Sequence, residues 1–175
     1  MSREVDRVLV HVSATGERVT WVEPAMLAAL RVTEDEAAAR AFANLARDLS
    51  SSEIVVHEIA GAPLAHLNAM LPFKAALMLA PNLKERVGAR IGWPLRSVVP
   101  ARDFLYLWPA KHESVLERLG GVVVREYAQA PHPISTEVYE IDDHGVRAIG
   151  AFPKPDCEDR SRGSRRSTDP ADEPA

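Results

Sequence analysis

Hydrophobic and polar positions alternate along this chain in short runs, and the period changes from two to near four and back several times. Val8-Leu-Val-His-Val12 and Arg18-Val-Thr-Trp-Val22 are β-rich runs, and Gly16 lies in the five residues between them, so the pattern predicts an opening hairpin. Pro24 suits the first turn of a helix through Leu30, and Thr33-Glu-Asp-Glu36 is a capping box that opens a second helix. In that second helix Ala38, Ala41, Phe42, Leu45 and Leu49 share one face, while Glu36, Arg40, Asn44 and Arg47 share the other and are expected to meet water.

Ile54-Val-Val-His57 and Leu64-Ala-His-Leu67 are short apolar runs read as strands. Pro72 and Pro81 each fit a first helical turn, so Phe73–Ala80 and Asn82–Ile91 are expected as two short helices or one kinked helix, ending at Gly92. Leu95-Arg-Ser-Val-Val99 and Asp103-Phe-Leu-Tyr-Leu-Trp108 flank Pro100-Ala-Arg102, the pattern of a tight hairpin. From Ala110 to Tyr127 the local signals divide. Leu116, Leu119, Val123 and Tyr127 keep helical spacing, whereas Gly120-Gly121 and Val122-Val-Val124 favour a break into a strand. Glu137-Val-Tyr-Glu-Ile141 and Val146-Arg-Ala-Ile149 then make a last hairpin with Gly145 in its turn. Hairpins alternating with helices define an α+β protein, with an antiparallel sheet covered by helices on one face.

Composition changes at Pro153, after which no Leu, Ile, Val, Met or aromatic residue occurs. The expectation is a single domain over residues 1–152 and a disordered polar tail over 153–175, since such a segment cannot offset the entropy of its own ordering. The formal net charge of −4 gathers neither phosphates nor anionic lipid, so no nucleic-acid or membrane partner is expected. Ile59 to Leu83 carries Lys74 as its only formal charge, but Pro63, Pro72 and Pro81 interrupt it, and buried core is the expected fate. One cysteine and the lack of an apolar leader after Met1 point to a reducing cytoplasm.

Three groups of residues in the second half carry a resemblance. They are Val99-Pro100 with Arg102-Asp-Phe-Leu-Tyr106, Val124-Arg-Glu-Tyr127 with His132-Pro-Ile-Ser135, and Tyr139 ahead of the Asp-His-Gly turn. Together Lys74–Gly150 resembles the YtpQ-like family of uncharacterised bacterial proteins. A fainter similarity runs over Val22–Leu49, with Met26-Leu27 and Asn44-Leu45. The resemblance implies one long helix ending at Tyr127 and brings no activity, because the family has none to transfer.

Chemistry is sparse. There is no phosphate-cradling glycine loop and no G-x-S-x-G elbow, and the sole cysteine, Cys157, lies in the tail beside Asp156, Glu158 and Asp159. No catalytic residue, metal site or cofactor is assigned. His57 and His66 lie on candidate strands that bring them together if those strands pair. Glu113, Glu117, Glu137 and Glu140 are expected to be solvated. As binding residues the candidates are Asn44, Arg102, Asp103 and His132, the last held between two prolines. The function expected is a non-enzymatic protein-interaction or regulatory module with another protein as partner. The alternative is a small hydrolase whose acidic and histidine residues (His57, His66, Asp103, His132) converge only in three dimensions.

Overall fold

A computed structural model describes residues 5–13 and 18–154. The chain opens with an antiparallel hairpin, β1 (Val10–Val12) and β2 (Val19–Trp21), in which Val10 faces Trp21. Helix α1 (Pro24–Leu30) starts on its proline and stops at Arg31, whose φ of 54° is left-handed. Helix α2 (Glu34–Ser51) has the complete capping box. The Thr33 Oγ1 accepts from the Glu36 N–H at 3.2 Å, and the Glu36 carboxylate accepts from the Thr33 N–H at 2.9 Å. Two of the four orphan donors at the helix start are thereby satisfied.

Six strands follow in one antiparallel sheet: β3 (Glu53–Ile59), β4 (Ala62–Asn68), β5 (Leu95–Val98), β6 (Tyr106–Pro109), β7 (Glu137–Asp142) and β8 (Gly145–Ala151), in the spatial order β3-β4-β6-β5-β7-β8. The α+β class and the rhythm of hairpins divided by helices match the hydrophobic pattern. No helix among the described residues is long and apolar enough to cross a membrane, and the Ile59–Leu83 stretch is spent on strand β4 and a 3-10 helix, Lys74–Leu79.

Helices occupy both faces of the sheet, where the pattern placed them on one. Over the first face lie Leu49 of α2, Ala75 and Leu77 of the 3-10 helix, Val87 of a π turn (Lys84–Gly88) and Ile91 of α3 (Ala89–Ile91), packed on Ala65, Leu67, Leu95, Leu107 and Ile141. Over the second lies α4 (Ser114–Gln129), whose Val115, Leu119 and Val123 recur every fourth residue and pack on Leu64, Val98, Trp108 and Val138. The reason is in the strands themselves. Leu64-Ala65 and Leu107-Trp108 are consecutive buried residues, and consecutive strand residues point to opposite faces, so both faces had to be covered.

Two other expectations change. Residues 73–91 wind as 3-10, π and a single α turn in place of two α-helices. The connection between β5 and β6 spans residues 99–105, because Val98 pairs with Tyr106. It is drawn out of a tight turn by main-chain bonds to other segments: Ile134 N–H to Pro100 C=O (2.9 Å), Arg102 N–H to His132 C=O (3.1 Å), and Ala75 N–H to Arg102 C=O (3.0 Å). Helix α4, by contrast, runs unbroken through Gly120-Gly121. At the end of the fold the Phe152 N–H donates to Thr136 C=O at 3.0 Å, and Lys154 stands 5.9 Å over the Tyr127 ring. The tail expected over 153–175 otherwise lies outside the described residues.

Candidate interaction surface

Arg102 and His132 are joined through the main-chain bond just given, Asp103 is exposed beside them, and Ala101 bridges Pro133. Arg102 Nε is buried without a hydrogen-bond partner among the described residues. The bonds holding this group are between backbone atoms, so its visible work is to clasp the 99–105 connection to the 3-10 helix and to residues 132–134. Asn44 stands apart on the exposed face of α2 and hydrogen-bonds to none of the three.

His57 and His66 do meet. Their rings stack 5.1 Å apart, 3° from parallel, across the β3–β4 pair, and Tyr106 continues the row at 6.3 Å from His66. Partial burial, then the neighbouring His57 and Lys74, hold the His66 imidazole below its ordinary proton affinity, with Glu53 opposing. Among the described residues no three His, Cys, Asp or Glu side chains gather as a metal-binding group.

The acidic residues of β7 differ from the solvated state expected for them. Glu137 is only 4% exposed, and its carboxylate accepts from Tyr139 Oη (2.8 Å) and Ser135 Oγ (3.3 Å). Glu140 lies 3.8 Å from Arg96 Nε and hydrogen-bonds Arg147, which also reaches Asp142 at 2.6 Å. Asp142 is held below the usual carboxylate range, first by the His144 N–H and then by Arg147. The sequence signal for Glu137 was its place in strict alternation with Tyr139 and Ile141, which assigns it to their buried face.

The most unusual surface is at the start of the chain. Residues 5–31 form two strands and a helix, yet none of their described residues is buried and none belongs to either core. Trp21 is 69% exposed, Leu30 68% and Val8 55%. On α2, Leu49 is fully buried but Phe42, two turns earlier on the same face, is exposed. A two-stranded hairpin is marginal by itself in water, and regular structure with an open apolar side is the mark of a contact surface. Hydrophobic periodicity detected each piece of this arm. What it did not reveal is that none of the arm's described residues is buried.

A shallow apolar cleft of about 200 Å³ lies where α4 meets β8, lined by Leu116, Val138, Ile149, Gly150, Ala151 and Phe152. That is below the usual range for a cofactor or drug-sized ligand.

No protein-family model, curated protein or solved structure matches the chain at a significant level of similarity.

Proposed function

We propose that this chain is a non-enzymatic protein-interaction module of a bacterial cytoplasm, and that residues 5–31 are its recognition arm. The observation that carries the reading is the exposure of Trp21 and Leu30 on elements that contribute nothing to the core. Tryptophan is enriched among the residues that dominate binding energy at protein interfaces. The acidic balance of the chain favours a protein over a nucleic acid as the ligand. The YtpQ-like resemblance over Lys74–Gly150 belongs to this proposal as the frame that carries the arm, and it adds no activity.

The hydrolase alternative has the His57–His66 pair in its favour. An active site needs a nucleophile, a base and an orienting group in one place, and Asp103 and His132 sit on a clasp held by main-chain bonds.

The test is affinity capture from the source cell with the full chain and with its Trp21→Asp/Leu30→Asp variant. Loss of a specific, stoichiometric protein partner by the variant, with its circular dichroism unchanged, is the expected result. A partner retained equally by both overturns the role of the arm.

A further inference from the structure

We infer that His57, His66 and Lys74 form a binding site for a phosphate-type oxyanion at the open end of the second sheet face. The site is separate from residues 5–31 and does not depend on their role.

The strands explain why this end is open. Ala62 and Leu64 of β4 are buried in the second core with α4, but His66, next on the same face, is only partly covered. Tyr106 of β6, opposite His66, is also half-buried, whereas Trp108 two residues on is fully buried. From β3 the exposed His57 lays its ring flat against that of His66. Stacked rings meet by their faces, so their N–H bonds, which lie in the ring planes, do not satisfy each other. Among the described residues neither imidazole, nor the Lys74 ammonium, has a side-chain hydrogen bond or an ion pair.

The charge of the site favours an anion. The groups acting on His66 are, in order, His57, Lys74 of the 3-10 helix and Glu53 of β3, and Tyr106 brings a phenol from β6. Glu53 is the one carboxylate among them, and it already accepts from Asn68 Nδ2 at 2.8 Å. What is left is a set of donors: two imidazoles and an ammonium. A divalent cation fits this set less well, because Lys74 repels it. The net charge of −4 does not decide the matter, since salt confines exposed charges to a range of about 8–10 Å.

Binding is linked to protons. A bound oxyanion offsets the repulsion of His66 by His57 and Lys74 and so favours the charged imidazole. Its affinity therefore rises as pH falls through the His66 value, and by the same linkage the anion raises that value. A free phosphate and the phosphoryl group of a small ligand share this chemistry. Phe104, with its ring 4.4 Å from that of Tyr106, extends the aromatic row beside the site and suits a ligand that carries a ring.

NMR titration of the imidazoles in the full chain, in sodium sulfate against sodium chloride of matched ionic strength, tests this. Sulfate keeps its double charge from neutral to mildly acid pH, so only the protein titrates. The His66 midpoint is expected to rise by about 1 pH unit at saturating sulfate, the scale of an opposite charge at close range. His57→Gln and Lys74→Gln are each expected to weaken sulfate about tenfold, the loss of one charge-assisted hydrogen bond, with circular dichroism unchanged. Inorganic phosphate and AMP distinguish the sources: equal affinities assign the site to free phosphate, and tighter AMP assigns it to a phosphoryl ligand with a ring, either of which upholds the oxyanion site. A midpoint that moves alike in sulfate and chloride, or a sulfate affinity unchanged in both variants, overturns it.

Discussion

Gly120 of α4 lies against the ring of Phe152: a Cβ at Gly120 stands 3.1 Å from both Phe152 Cδ1 and Cε1, whereas a Cβ at Gly121 meets nothing within 4 Å. The two neighbouring glycines therefore answer differently to alanine. Gly121→Ala gains about 0.8–1 kcal/mol of helix propensity. At this chain length that raises the melting temperature by about 2–4 °C. Gly120→Ala makes the same local gain but must displace Phe152, so it is expected to stabilise measurably less. Thermal melts of the two single variants check the order.

The Thr33 capping box holds the start of α2, and Thr33→Ala is expected to destabilise by about 1 kcal/mol. Glu36 is held below its ordinary value chiefly by its bond from the Thr33 N–H. Because its folded value is depressed, its contribution is present above the unfolded value and is lost as pH falls through the folded one. Urea unfolding of wild type and Glu36→Gln at neutral and acid pH should show their stabilities converging in acid.

Ala60 adopts φ 52° in the two-residue turn that joins β3 to β4, followed by Gly61 at φ 74°. Both central positions of such a hairpin turn need positive φ, which costs an alanine roughly 1–2 kcal/mol. Ala60→Asn is expected to recover about half of that, and chemical denaturation would measure the gain.

His66 is held below the ordinary histidine value by burial first and by His57 second. Between its folded and unfolded values the unfolded chain binds more protons, so stability is full above the unfolded value and declines as pH falls through the folded one. His66→Gln should flatten stability over that acid range. NMR titration of the two imidazoles gives the matching readout, with His66 losing its proton at a lower pH than an unperturbed histidine.

Much of this fold was legible because each local signal had one physical cause. Thr33 and Glu36 cap a helix wherever they stand three residues apart before an apolar face, and Pro24 opens α1 for the same local reason. The long connection 99–105 was not legible, since it is set by bonds to Ala75, His132 and Ile134 that are remote in sequence. Coverage of both faces was readable in Leu64-Ala65 and Leu107-Trp108, yet period-two reasoning treats such pairs as noise unless burial is known. Of the candidate site residues, Arg102 and His132 come together through backbone alone, and Asn44 hydrogen-bonds to neither. Trp21 carried no sequence mark, because exposure depends on which elements fail to pack over it.

The central claim, that residues 5–31 serve contact and not the core, is tested most directly by removing residues 1–31 and measuring urea unfolding. The account predicts a cooperative transition with the midpoint of the full chain, because both cores begin beyond Phe42. A truncated chain that unfolds, or whose midpoint falls as far as the 2–5 kcal/mol expected from a core change such as Leu77→Ala, would contradict it.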